Sequence, residues 1–260
     1  MEVTTVLRLL DEERQSVPDP GARLEKTSYV VRAHGPGSLW HMIVYSHFSA
    51  SQAETVVNAE ICYFTQLNQN FEWKIYSHDE PPGLLTYLRD RGFKIGEEES
   101  LMVCDLQDLS PALMVPPFAG VTVSPVTDEQ QIEDYLSVES AVWSCPTEKT
   151  GELLFASLSD PLRLDRGFVA YFERKPVGCG RLSAPQHSRF SGLWGGCVLP
   201  DFRGLGVYRA LLSSRIAALR QFESIAYLRV DALATSRPIL EKYGFHRIAS
   251  TWPADWPPDR

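Results

Sequence analysis

The stretch Val198-Leu199-Pro200-Asp201-Phe202-Arg203-Gly204-Leu205-Gly206-Val207-Tyr208-Arg209-Ala210-Leu211-Leu212 constrains this chain more than any other. It predicts an apolar strand over Leu193 to Val198, a short polar turn, and a helix entered between two glycines. Tyr208, Leu211, Leu212, Ile216 and Leu219 recur at three- and four-residue steps, which predicts a buried stripe. Arg209, Ser213, Arg215 and Arg220 then fall on the other faces. Gly204 and Gly206 tolerate backbone angles that a Cβ resists, so successive N–H groups are able to converge on one point. The helix N-terminus adds unpaired donors and a partial positive charge, and Arg203 adds a full one. A phosphate or pyrophosphate fits such a seat. The blander reading of the same residues is a glycine turn closing a strand–helix joint.

The choice of phosphate ligand narrows by elimination. A P-loop places Lys and then Ser or Thr after its last glycine, whereas Val207-Tyr208 follow here. A dinucleotide fingerprint needs a third glycine where Arg209 stands. The arrangement instead resembles motif A of the GNAT superfamily of N-acetyltransferases, whose pattern is Arg/Gln-x-x-Gly-x-Gly/Ala. Arg203 and Gly206 match it, and Tyr208 stands where the family usually has Gly or Ala, so its ring has to point away from the ligand. Downstream, Ile225-Ala226-Tyr227-Leu228-Arg229-Val230-Asp231 alternates like a half-buried strand. Thr235 to Phe245 reads as a short helix, with Ser236 as N-cap, Pro238 in the first turn and Gly244 as the stop. A short helix closing on Gly244-Phe245 is similar to the last helix of GNAT domains.

Three prolines and no sustained period between Ser110 and Gly120 mark a linker. Beyond it come a strand at Val121-Thr122-Val123, a helix started by Thr127-Asp128 and running through Val142, and a second helix around Gly151 to Leu158. Strands at Phe168 to Glu173 and Val177 to Leu182 follow, with Lys175-Pro176 as their turn. That order matches the lead-in of a GNAT domain. The first half carries a fainter copy: strand Trp40 to Phe48, helix Ser51 to Asn68, strand Phe71 to Tyr76, a segment Gly83 to Phe93 with its own Gly-Phe ending, and strand Ser100 to Leu106. Where the second half has its glycine loop, this half has His47-Phe48-Ser49-Ala50-Ser51-Gln52, with no glycine to bare the backbone. The expected fold is α/β with an α+β mixed sheet: two GNAT-like lobes, each a mixed, mostly antiparallel twisted sheet flanked by helices. The expected domains are 1–110, degenerate and without a coenzyme A loop, a linker over 111–120, and a complete domain over 121–260.

The resemblance implies transfer of an acetyl group from acetyl-CoA to the amine of a small molecule or peptide, with no metal. It implies that Gly196, Cys197 and Val198 pair with the pantetheine arm and that Arg203, Gly204, Leu205, Gly206, Val207 and Tyr208 hold the pyrophosphate. Ser236 is a further implied cofactor contact. Two glycines in Trp194-Gly195-Gly196 weaken a central strand unless something approaches the backbone closely, or unless a bulge forms there. Two features depart from the family. Leu240 stands where many members have a tyrosine that protonates the leaving thiolate, and Tyr243 lies nearly a turn later. The strand Leu193-Trp194-Gly195-Gly196-Cys197 lacks the glutamate that often serves as base. A thiol with a pKa of about 8.5 leaves without a dedicated acid, but an ammonium does not attack a carbonyl, so the base matters more.

Weak substitutes for that base are Glu139, Glu148 and Asp231; His187 lies in a polar loop and reads as an exposed histidine. Trp143 and Trp194 are the aromatic residues nearest the expected substrate side. The rival reading is a non-catalytic acyl-CoA-binding or sensor protein that kept the cofactor seat and lost its base. His34, His41 and His47 match no zinc spacing, and the five cysteines form no CxxC pair, which predicts reduced thiols and no metal. A net charge of −8 without a basic run argues against nucleic acid as a partner. No apolar run approaches a membrane span and Met1 to Arg8 lacks a secretory pattern, so the expected location is cytoplasmic. A homodimer is left open.

Overall fold

In the computed structural model the described residues are 1–115, 120–162 and 164–257, without the side chains of Met114 and Arg220. Pro116 to Ala119, inside the expected linker, lie outside the described residues. The chain forms two compact units: Met1–Val103 with Asp231–Leu240 and His246–Arg260, and Cys104–Val230 with Glu241–Phe245.

The first unit opens with helix α1 (Val3–Arg14), then strands β1 (Arg23–Lys26), β2 (Val30–His34) and β3 (His41–Ser46). Helix α2 (Ala53–Gln66), β4 (Phe71–Tyr76), α3 (Leu84–Asp90), β5 (Lys94–Ile95) and β6 (Glu99–Asp105) follow. Its core gathers Ile43, Val57, Phe64, Trp73 and Leu88, with Phe64 stacked on Phe71 at 4.3 Å. Helix α1 and strands β1 and β2 went unread in the sequence because charge hides their periodicity. All five residues of β2 are buried, among them Arg32, which Glu60 grips through Nε at 2.6 Å and Nη2 at 2.9 Å.

The second unit begins with β7 (Val121–Pro125), α4 (Glu129–Trp143) and α5 (Glu148–Leu158). Strands β8 (Asp165–Phe172), β9 (Lys175–Ser183) and β10 (Phe190–Val198), helix α6 (Val207–Ala217) and β11 (Tyr227–Ala232) complete its elements. The Asp128 carboxylate caps α4 by accepting from the Gln131 N–H at 2.8 Å, the start signal read from sequence. The strand order is β11-β10-β9-β8-β7, antiparallel except for β10 with β11. The β8–β9 turn is Glu173-Arg174, both at positive φ, rather than the expected Lys175-Pro176. A two-residue turn with both φ positive matches the strand twist, and Pro176 sits inside β9 instead.

Helix α7 (Arg237–Glu241) is five residues, shorter than the Thr235 to Phe245 stretch suggested. Ser236 donates its hydroxyl to the Leu233 carbonyl at 3.2 Å instead of accepting from the helix as the expected N-cap. Gly244 ends that segment at φ 97°, where any Cβ would lie 2.6 Å from the Asp108 carbonyl oxygen. The last strand, β12 (His246–Trp256), pairs antiparallel with β4 on one side and β6 on the other. Those ladders count it with the first unit, although the sequence reading carried the second domain through to 260. Among the described residues no helix is long and apolar enough to cross a membrane.

Candidate functional site

Strand β10 is regular only at its start. It pairs in parallel with β11 at Phe190, Ser191 and Gly192 and no further. Against β9, its register shifts between Trp194 and Cys197, so Gly195 and Gly196 form a β-bulge, with Gly195 at φ 57°. A bulge turns successive residues away from strict alternation, and the absence of side chains lets groups from both faces approach the backbone. At these glycines the sequence offered a bulge or the close approach of an acyl-pantetheine; the structure has the bulge.

Helix α4 supplies the groups on one face. Tyr135 and Glu139, one turn apart, point at Gly195: a methyl group there would lie 3.3 Å from the Tyr135 hydroxyl and 3.8 Å from Glu139 Oε1. Tyr135 is fully buried and its hydroxyl has no hydrogen-bond partner among the described residues. Glu139 Oε2 is buried without a partner as well. Burial pushes the Glu139 carboxyl above its ordinary range, and Thr150 and Arg181 offset part of that rise. Cys197 faces the same side, its sulfur 3.4 Å from that of Cys179 across the β9–β10 ladder. The contact with Cys197, with burial, pushes the Cys179 thiol up. The Trp143 indole, 44% exposed at the end of α4, lies beside Cys197.

Helix α6 supplies the other face. Val207 and Leu211 press on Gly178, and Tyr208 and Arg215 press on Gly196. Arg215 corrects the sequence reading, which set it on an outer face; it is 1% exposed. The helical spacing was right, since Arg215 follows the inward Leu211 by four residues. A charged residue simply argued against burial, and only the paired glycines of β9 and β10 make room for it. The Tyr208 ring turns toward the strand, with Cε2 3.3 Å from a methyl built on Gly196, and so points away from the preceding loop as the resemblance required.

That loop has the predicted character. Gly204 and Gly206 both stand at φ 78°, and no side chain caps α6 at Gly206. A methyl on Gly204 would meet nothing within 4 Å, so the backbone there is open to a ligand. The first-turn N–H groups of a helix have no intrahelical acceptor and carry the positive end of its dipole. Arg203 donates from Nε to the Val198 carbonyl at 3.2 Å, which holds the guanidinium beside the loop. An unblocked helix start, a fixed cation and open glycines fit a pyrophosphate.

The remaining sequence candidates separate. Glu148 is exposed at the first turn of α5. Asp231 is counted with the first unit, where Lys74 lies 3.1 Å from its carboxylate and Thr251 donates to it at 3.3 Å. Ser236 and Leu240 are counted there too. Trp194 lays its indole over Gly192, with the Arg229 guanidinium 5.2 Å from the ring centre. Among the described residues, Asp11, His78 and Asp79 have metal-ligand spacing, but Arg14 already donates to both aspartates. Glu139 was a weak candidate in the sequence and becomes the carboxylate at the bulge. Arg215 and Tyr135 were not read as site residues, and no local signal marks them, because their role depends on which glycines lie opposite.

Comparisons with known proteins bear on these elements. The model of the acetyltransferase (GNAT) family matches residues 131–245, from α4 through the Gly-Phe ending. A search of curated proteins gave no match. Among solved structures, a GCN5-related N-acetyltransferase from Kribbella flavida has a TM-score of 0.67 at 14% identity, over 98% of this chain and 94% of that one. A functionally unknown conserved protein from Staphylococcus epidermidis has a TM-score of 0.66 at 15% identity, over 93% and 94%. A tandem GNAT protein from the clavulanic acid biosynthesis pathway has a TM-score of 0.61 at 12% identity, over 99% and 96%. The fold likeness thus spans both halves of the chain.

Proposed function

We propose that this chain, whose residues 131–245 are a GNAT acetyltransferase domain, transfers an acetyl group from acetyl-CoA to a small-molecule or peptide amine, with Glu139 as general base. The observation that carries the reading is the Glu139 carboxylate at the bare Gly195 bulge: Oε1 lies 3.8 Å from a methyl built on that glycine, and Oε2 is buried without a hydrogen-bond partner among the described residues. It answers the main objection from sequence, the missing carboxylate on the strand, because the base comes from α4 instead.

The loop from Arg203 to Tyr208, with Arg203 itself, holds the pyrophosphate of acetyl-CoA, which supplies the acyl group. Gly196, Cys197 and Val198 lie on β10 beyond the last residue paired with β11, which leaves the edge away from β9 for the pantetheine arm, apart from the Val198 carbonyl that accepts from Arg203. A strand N–H polarises the thioester carbonyl as its oxygen gains charge; losing one such donor costs about 2.7–4 kcal/mol. Glu139 takes a proton from the amine, which attacks only when neutral. Trp143 and Trp194 form aromatic walls for the acceptor. The location is cytoplasmic, the partner a small amine rather than nucleic acid or membrane, and a homodimer is the assembly to test.

Glu139→Gln tests the assignment. The variant should keep acetyl-CoA affinity and lose about 10²–10⁴-fold in kcat/KM. A base must be ionised to act, and burial raises its pKa. Wild-type kcat/KM should therefore climb with pH through a value above the usual glutamate range, and that limb should vanish in the variant. Thiol release from acetyl-CoA against polyamines, aminoglycosides, amino acids and peptides is the measurement. Tight CoA binding without turnover on the whole panel would favour the sensor reading, and full activity in the variant would remove Glu139 from the chemistry.

A further inference from the structure

Arg215 lies at the centre of the second unit with little to hold it. Its Nε donates to the Leu211 carbonyl at 3.2 Å and its Nη1 to the Arg181 carbonyl at 3.3 Å. Nη2 is buried and has no hydrogen-bond partner among the described residues. The Tyr208 phenol is hydrogen-bonded to it as well, but a guanidinium taken out of water without a carboxylate is a costly group, because two carbonyls and a phenol do not balance its charge. Burial accordingly pushes its pKa down. An anion bound beside it would offset that cost.

Its position says which anion. A methyl on Gly180 would lie 2.9 Å from Nη1, and one on Gly196 would lie 3.3 Å from Nη2. Both strands give up their side chains so that the guanidinium presses directly against the backbone of the bulge. On α6 its titratable neighbour is Tyr208; from α4 come Tyr135 and Glu139; from β9 and β10 come Cys179, Arg181 and Cys197. Arg181 is neutralised by Asp165, 3.0 Å away. Of these, Glu139 approaches the bulge beside Gly195 rather than Gly196, and the Cys197 thiol, its pKa held down by its contact with Cys179, is paired with that sulfur across the ladder.

We propose that Arg215 is a positioning charge for the departing sulfur: a buried guanidinium beneath Gly196 that favours the coenzyme A thiolate. This rests on the acetyl-transfer reading of the same site. In the reaction the amine nitrogen bonds to the acyl carbon and the carbon–sulfur bond breaks. The electron pair stays on sulfur, and the amine proton goes to the Glu139 carboxylate. The thiolate is thus released as an anion beside a cation, which explains how a chain with Leu240 in place of an acid sheds its leaving group. The Tyr208 phenol, hydrogen-bonded to Arg215, is a rival proton donor at that spot.

The test needs only coenzyme A and the full chain. The thiol of bound CoA is titrated by its thiolate absorbance in the ultraviolet, with the desulfo-CoA complex as blank to remove the protein's own cysteines. In the wild type the bound thiol should titrate roughly 1–3 units below free CoA, the range for an opposite charge nearby. Arg215→Met, which keeps length and removes charge, should abolish that depression, and Arg215→Lys should restore part of it. Tyr208→Phe should leave it in place. Arg215→Lys also stands in if the methionine variant does not fold, judged by circular dichroism; an unchanged thiol pKa in Arg215→Lys then counts against the proposal. A wild-type thiol with an ordinary pKa, an Arg215→Met thiol like the wild type's, or a shift lost only in Tyr208→Phe would each overturn it. Failure to turn over any amine would leave this titration valid. Failure to bind CoA at all would remove the reading beneath it.

Discussion

Glu72 carries a charge that the first unit resists. Burial raises its carboxyl to about 7; Lys74 counters this, while Asp255, Glu99 and Asp231 add to it. Lys74 is itself engaged by Glu99 and by Asp231 at 3.1 Å, which leaves Glu72 as the surplus anion. An unfolded glutamate titrates near 4.3, so the folded state binds the extra proton between that value and about 7. The stabilisation is therefore fully present below the unfolded pKa and is lost as pH rises through the folded one. Glu72→Gln should stabilise the protein by about 1–3 kcal/mol near pH 8 and change little near pH 4, read from urea unfolding. Equal effects at both values would contradict this. Glu139 obeys the same sign, and in the proposed role of base a raised pKa is an advantage, since a base that titrates nearer neutrality moves protons more effectively. None of these shifts was legible in the sequence. They follow from which charges the folded chain gathers.

At the scale of elements, the proposed phosphate seat belongs mainly to α6 and its approach, with Arg203 as its side-chain cation. Two residues at φ 78° bend the chain into an uncapped helix start, whose backbone donors are the groups proposed to bind the phosphates. Gly206→Asp should therefore weaken CoA binding by about a hundredfold or more, by setting an anion against the phosphates. Aspartate tolerates the left-handed region better than most residues, so the fold should lose only about 1 kcal/mol. Calorimetric titration with CoA and a thermal melt check both halves; normal CoA binding would move the ligand site elsewhere. Strand β10 illustrates what an element-level reading misses. Its glycines signalled a bulge or a close approach, but not that Glu139 would meet it from α4 and Arg215 from α6. The Glu173-Arg174 turn shows the same limit, because non-glycine residues at positive φ leave no mark in composition.

For the molecule as a whole, the decisive element is the last strand. β12 runs between β4 and β6, with register pairs from Thr251–Tyr76 to Trp256–Phe71 on one side and from His246–Val103 to Thr251–Glu99 on the other. Its Ala254 lies in the core with Trp73 and Phe93. Removing everything after Phe245 leaves both neighbouring strands with unpaired backbone edges at the middle of the first unit's sheet. The truncated chain should lose the cooperative unfolding of that unit and become protease-sensitive between residues 1 and 103. Limited proteolysis with circular dichroism decides it; a truncation as resistant as the full chain would refute the pairing. The sequence reading left β12 out because Pro253 and a tryptophan-rich run conceal its alternation.

The residues alone determined what depends on neighbours along the chain: the strand, glycine loop and helix of Leu193 to Ala217, the cap of α4 at Asp128, and the Gly244 stop. Each of these is set by local backbone angles and a short period, which a linear string records. Tertiary structure decided the rest. It put a carboxylate from α4 and a guanidinium from α6 against one bulge, and it paired the final strand with a segment some 180 residues earlier. Burial of charge and pairing of distant strands are governed by what lies across a face in space, and no run of adjacent letters carries that information.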